Sequence, residues 1–288
     1  MTANAPTPPF DNGTIVDAGT DYVRASIVGG VGIIELNQPG RRNALHAEMY
    51  DAVPDLIGRY ESDPGVGSIL LSGAGDGFCA GGDVQAGVSR SRSQNPPPPS
   101  DLAHDARLVL RLRSSPLISI AALPGAAVGA GLSIALAADL RIAARSARLI
   151  GGWGRLGFSG DFGGAWFLTR LVGPAKALEL LVDNTSLSAE QAFGLGLVNK
   201  VVEDHELRVR ALDWALALAA GSRPANMLMK RNIQDSLEMA LADYLPIESR
   251  RQREAGQTEE HRAAVRRWLS EAKAKRAGAA TTTPTELR

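Results

Sequence analysis

The chain has 288 residues, 44% of them apolar and 22% charged, with 31 Lys and Arg against 31 Asp and Glu. That balance suffices for a sizeable core and leaves no net field to gather polyanions, so neither nucleic acid nor an anionic membrane is an expected partner. A lone cysteine, Cys79, excludes an intramolecular disulfide framework and a cysteine-rich zinc cage. With no apolar stretch long enough to span a bilayer or to serve as a secretory leader, the expectation is a soluble, cytoplasmic protein.

Residues 1–20 and 277–288 are polar and rich in Pro and small side chains, and read as weakly ordered. Tyr22–Val28 and Val31–Leu36 flank Gly29-Gly30, a two-residue hairpin signal. Apolar residues at helical spacing (Leu45, Met49, Val53, Leu56, Ile57) predict a helix over Ala44–Tyr60, followed by a buried strand over Ile69–Ser72. The stretch 86–103, which contains SRSRSQNPPPPS, suits neither helix nor strand and reads as a mobile loop, a candidate lid. Helices over Leu102–Leu112 and Gly129–Ala138 then alternate with strands over Leu117–Ala122 and Leu140–Ala143, which predicts an α/β fold with a largely parallel sheet. After Phe162 the pattern is nearly all helix: Phe162–Leu171, Ala175–Leu181, Ser188–Leu195, Glu206–Ala220, Ala225–Tyr244 and Glu260–Lys275. The chain thus divides into an α/β core over 21–205 and a helical region over 206–276.

Several chemistries fail on spacing. Neither Gly73-Ala74-Gly75-Asp76-Gly77 nor Gly125–Gly131 fits a dinucleotide fingerprint, and no Walker lysine follows either. Gly157-Phe158-Ser159-Gly160-Asp161 places an acid where a nucleophile elbow needs its second glycine. The four histidines, His46, His104, His205 and His261, show no metal-ligand spacing, so no metal is expected.

Two glycine-rich loops remain. Phe78-Cys79-Ala80-Gly81-Gly82-Asp83 follows one strand, and Pro124-Gly125-Ala126-Ala127-Val128-Gly129-Ala130-Gly131 follows another and ends at a helix N-terminus. Backbone amides without ladder partners and without side chains in the way form anion sockets. The alternative is that both are tight turns that need glycine.

These loops belong to a longer pattern. Ile34-Glu35-Leu36-Asn37-Gln38-Pro39 with Arg42-Asn43-Ala44-Leu45, Phe78–Val84, Gly125–Gly131 with Ala138-Asp139, Gly163-Gly164 with Leu168–Gly173, Ser188–Ala192 and Gly194–Val198 follow one another in family order. In this the chain resembles the enoyl-CoA hydratase/isomerase (crotonase) superfamily over roughly residues 23–275. The resemblance implies a ClpP/crotonase-type ββα spiral core with a helical C-terminal trimerisation region. It implies an acyl-CoA thioester substrate, coenzyme A entering as part of that substrate and no permanently bound cofactor. Its oxyanion-hole amides fall on Gly82 and Ala130, and its CoA-binding positions on Arg42, Ala44, Leu45, Ala80, Asp83 and Val84. A homotrimer or hexamer is implied too, the helix around Ala263–Leu269, with Trp268, reaching a neighbouring CoA site.

The sequence departs from the family where hydratases carry two glutamates: those positions are Ser133 and Trp153. Asp161, eight residues past Trp153, is the acid in the neighbourhood, with an N-cap role as its plain alternative. A single aspartate before Gly-Gly resembles isomerases of the phenylacetate-degradation type and implies Δ3-to-Δ2 double-bond isomerisation. The Trp153-to-Asp161 spacing, together with His104 twelve residues before Pro116, also resembles 4-chlorobenzoyl-CoA dehalogenase. A hydratase by family name and a non-catalytic acyl-CoA binder are the remaining alternatives.

Overall fold

The structure is a computed structural model and describes residues 13–82 and 102–280. Asp83, Val84 and the candidate lid up to residue 101 lie outside the described residues. Contacts divide the chain into two units, Met1–Ala220 and Gly221–Arg288.

The first unit is built on a seven-stranded sheet, in the order β1 (Thr14–Val16), β2 (Val23–Val28), β3 (Val31–Leu36), β4 (Ser68–Gly73), β5 (Ile118–Leu123), β7 (Leu140–Ala144) and β10 (Lys200–Val202). From β3 to β10 every pair is parallel, while β1 and β2 join antiparallel at one edge. Gly29 and Gly30 close the β2–β3 hairpin with φ of 55° and 85°, the left-handed pair that a type I′ turn demands. β1 corrects the reading of residues 1–20 as weakly ordered: three β-branched residues, Thr14, Ile15 and Val16, pair with Ile27, Ser26 and Ala25.

Side chains alternate across the sheet. Val31, Ile33, Leu70, Ile120 and Ala122 face α7 (Leu207–Ala219), while Ile34, Leu36, Ile69, Leu71, Ala121 and Leu123 face the larger core. Strands buried on both faces read as near-continuous apolar runs, as these do. The small residues Ala211 and Ala215 of α7 let its backbone approach the sheet, and Ser68 Oγ donates to the Ala215 carbonyl at 2.9 Å. This helix, read from the sequence as part of the helical C-terminal region, therefore belongs to the first unit.

On the other face lie α1 (Met49–Ser62), α3 (Arg107–Ser114), α4 (Ala130–Ala137) and α5 (Gly164–Val182). α1 begins at Met49 and not at Ala44 because the Leu45 N–H is taken by the Gly81 carbonyl at 2.8 Å. The expected helix Leu102–Leu112 is two pieces, α2 (Leu102–Asp105) and α3, with Arg107 Nε donating to the His104 carbonyl at 3.3 Å beside the break. α5 is broken as expected at Gly173, with φ 77° and ψ 164°, ahead of Pro174.

The nearly all-helical run expected after Phe162 is interrupted by two short strands, and two more lie before it. A second sheet of three short strands, β6 (Ala127–Val128), β8 (Arg148–Ile150) and β9 (Ser186–Ser188), and strand β10 were not expected, because strands of two or three residues show no periodicity. α6 (Ala189–Gly194) follows β9 and opens with the expected cap, Ser188 and Gln191 forming a reciprocal capping box. In the second unit the expected helix Ala225–Tyr244 is again two, α8 (Arg223–Ser236) and α9 (Leu241–Gly256), with Ser236 Oγ donating to the Ile233 carbonyl at the break. α10 (Glu259–Ala280) runs past Lys275 into the start of the tail that the sequence suggested was weakly ordered.

Candidate active site

The two glycine loops meet side by side. Phe78 and Cys79 both donate to the Ala126 carbonyl at 3.1 Å, Val128 N–H returns to the Cys79 carbonyl at 2.9 Å, and Leu45 and Gly82 form a further bridge. Through these bridges the small sheet continues into the chain after β4 and into the entrance of α1. The approach is close enough to require glycine. A Cβ on Gly131 would stand 2.3 Å from the Cys79 carbonyl oxygen, and one on Gly81, which has φ +83°, 2.6 Å from that of Val128. The same Gly81 position lies 3.4 Å from Ala130 N, so the end of the first loop abuts the first amide of α4.

Among the described residues the N–H groups of Gly82 and Ala130 have no protein acceptor. Ala130 opens a helix buried all round, whose first amides lack intrahelical partners by construction. Two amides from two loops are thus presented where the positive end of a helix dipole adds to them. Cys79 takes no acid–base part: burial pushes its thiol up to about 12, and it only receives the Gly81 N–H at 3.4 Å.

The acid side is built by three elements. Ser133 comes from α4, Trp153 from the turn after β8, and Asp161 from the entrance of α5. Trp153 Nε1 donates to Asp161 Oδ1 at 2.7 Å, and Ser133 Oγ donates to the Asp161 backbone carbonyl at 3.0 Å. The other carboxylate oxygen, Oδ2, has no protein donor among the described residues. Burial raises the Asp161 carboxyl above its ordinary range, and the Trp153 bond pulls it partly back. This cluster adjoins the amides: a Cβ on Gly129 would lie 3.8 Å from Trp153 Nε1, and one on Gly164 would strike the Trp153 ring at 2.6 Å. Asp161 does not cap α5 with its side chain; the N-cap of that helix is Gly163, without a side-chain bond.

The remaining predicted residues fall in two groups. Arg42 and Leu45 hold the first loop by backbone, the Arg42 carbonyl accepting the Ala80 N–H at 3.0 Å and Leu45 bonding Gly81, with Ala44 buried between them. His104 is exposed and faces Asp51 and Asp105, each at 3.6 Å, and Arg107; no bond or ring contact joins it to Asp161. Asn43 was quoted in the sequence pattern without a role. Fully buried in the left-handed conformation (φ 54°), it accepts the Gln38 N–H and donates to the Ala74 and Gly77 carbonyls at 2.9 and 2.8 Å. It staples the turn ahead of Phe78, and its sequence signal was an Asn, a residue that tolerates φ above zero, just after the turn-like Pro39-Gly40.

Residues 26–277 match the family described as enoyl-CoA hydratase/isomerase. The chain belongs to that family. It is 34% identical over 256 residues to 1,2-epoxyphenylacetyl-CoA isomerase of Escherichia coli, covering 87% of this chain and 96% of the relative. It is 31% identical over 214 residues to 4-chlorobenzoyl coenzyme A dehalogenase-2 of Arthrobacter, covering 72% and 75%. Its fold matches the crystal structure of an enoyl-CoA hydratase from Polaromonas with a TM-score of 0.82 at 30% identity, over 86% of this chain and 97% of that one. The crotonase-type α/β core expected from the sequence is thereby shown, and this is an enzyme family that acts on CoA thioesters.

Proposed function

We propose that this enzyme is a Δ3-to-Δ2 enoyl-CoA isomerase in which Asp161 is the single acid/base. The amides of Gly82 and Ala130 hold the thioester oxygen. Asp161 takes a proton from C2, the electron pair passes to that oxygen as an enolate, and the same carboxyl returns a proton to C4, leaving the double bond between C2 and C3. A preorganised amide donor of this kind stabilises the transition state by about 2.7–4 kcal/mol.

The observation that carries the reading is the convergence on Asp161. The two positions that the resemblance gives to hydratase glutamates, Ser133 and Trp153, both hold donors to this one residue, Trp153 to its carboxylate and Ser133 to its backbone carbonyl. Its raised proton affinity suits a base, and with Oδ1 held by Trp153 the second oxygen is left for substrate. The similarity to an epoxyphenylacetyl-CoA isomerase favours proton transfer between carbons, although hydratase names occur among the relatives. Dehalogenation is the weaker reading, because its histidine partner, His104, has other partners.

Arg42, Ala44, Leu45, Ala80, Asp83 and Val84 are proposed to line the CoA end, largely through backbone. Met229, Ile233, Leu237, Leu241 and Trp268 of the second unit are exposed in the single chain, which supports assembly into trimers or hexamers. The test of the activity is a panel of 2-enoyl-, 3-enoyl- and 4-chlorobenzoyl-CoA substrates with product identification. Conversion of 3-enoyl-CoA to 2-enoyl-CoA is expected, and rapid hydration of crotonyl-CoA would contradict the proposal.

A further inference from the structure

The peptide that carries Asp161 is held more firmly than a loop requires. Its carbonyl accepts two bonds, from Ser133 Oγ at 3.0 Å and from the Gly164 N–H at 2.9 Å. A serine inside a helix ordinarily bonds back to the carbonyl four residues earlier. Here that distance, to Gly129, is 3.5 Å, so the hydroxyl proton goes to Asp161. Ser133 is fully buried, and α5 begins against it: a Cβ on Gly164 would stand 2.8 Å from its Oγ.

The next residue shows what this grip opposes. Phe162 has φ +49°, in the left-handed region that a bulky side chain rarely occupies, and its ring is buried against that of Tyr50 with centroids 5.9 Å apart. Backbone held in such a conformation persists only where its surroundings over-determine it, and such residues cluster at functional sites. The direction of the Asp161 side chain follows from the backbone on either side of it.

We propose that Ser133 is a positioning residue for Asp161, acting through the backbone carbonyl: with the Gly164 amide it holds Phe162 in its left-handed conformation and so aims the carboxylate at Trp153 and the Gly129–Ala130 turn. The inference rests on the isomerase reading of Asp161. Release of the carbonyl lets the peptide relax, and the carboxylate then spends less time on the Trp153 N–H.

The test is Ser133→Ala, which removes one oxygen and suits a helix, assayed for 3-enoyl-CoA isomerisation across pH. The expected kcat falls by about tenfold or more while KM stays within about twofold, since the loop amides are untouched. The acid limb of the profile moves to higher pH, because a carboxylate less often bonded to Trp153 holds its proton more tightly. Added to Trp153→Phe, the same substitution costs much less than it does alone, both acting through one carboxylate. A lowered melting temperature with kcat and acid limb at wild-type values would reduce Ser133 to packing, as would fully multiplicative losses in the double variant. If Asp161→Asn keeps turnover, the isomerase reading itself falls; if that variant is inactive while Ser133→Ala is not impaired, the positioning role alone is overturned.

Discussion

The two halves of the candidate site, the glycine loops proposed to hold the thioester oxygen and the cluster around Asp161, are made of different material. Gly82 and Ala130 offer only backbone, set by bridges between Leu45 and Gly82 and between Cys79 and Ala127. The acid half depends on side chains from three elements, Ser133, Trp153 and Asp161, with one hydrogen bond to the Asp161 carboxylate and one to its backbone carbonyl. Backbone geometry tolerates change in every side chain except where a Cβ would intrude, whereas a side-chain constellation changes with a single substitution. One scaffold can therefore keep its loop backbone while the side chains beside it change, and the names of this chain's relatives include an isomerase, a probable hydratase and a dehalogenase.

The comparison breaks first at Gly131. A Cβ there must displace the Cys79 carbonyl, 2.3 Å away, so Gly131→Ala separates the two loops. Turnover is expected to fall by about 10²–10³-fold through the lost alignment of an amide, and stability by about 1–3 kcal/mol through overpacking. Steady-state kinetics and urea unfolding read the two losses. Trp153→Phe strikes the acid half alone. It removes a donor to a charged acceptor, for which about 10-fold in kcat is expected. Because that bond lowers the Asp161 pKa, the acid limb should shift upward from a position already above the ordinary aspartate range. Activity needs the ionised base, so it is lost as pH falls through that raised value, and a pH–rate profile checks the direction. The smallest effect belongs to His104→Ala. The His104 side chain is exposed, as are its partners Asp51 and Arg107, while its third partner, Asp105, is buried, so stability should change by less than about 1 kcal/mol. Isomerase turnover should be unchanged; a collapse would revive the dehalogenase reading.

The strands were legible in the sequence, because strands buried on both faces announce themselves as apolar runs; the two glycine loops were visible too, but glycine at a strand end also serves tight turns, and their reading as anion sockets leaned on the family resemblance. What stayed hidden depends on pairing between distant residues. Leu45 carries a helical spacing with Met49, Val53 and Leu56, yet its amide is claimed by Gly81, and tertiary pairing moved the start of α1. Asn43 hides because its three bonds reach the separate turns at Gln38 and at Ala74–Gly77. Ser133 marked only a missing glutamate; its bond spans 28 residues to a carbonyl, and no side-chain pattern records that. The small sheet of β6, β8 and β9 is too short to carry a period of two.

Asp161→Asn tests the central claim most directly. Asn keeps an oxygen for the Trp153 N–H but cannot accept a proton from carbon. The Asp161 pKa is raised in the folded state, so its favourable contribution to stability is present below the ordinary carboxylate range and lost as pH rises through the raised value. At neutral pH the Asn variant should therefore be at least as stable as the parent. Acyl-CoA affinity should hold as well, as both amides remain. The account predicts that the variant, folded and binding acyl-CoA, isomerises 3-enoyl-CoA more slowly by about 10²-fold or more. Isomerisation at the wild-type rate by that variant would contradict it and leave Asp161 a structural residue.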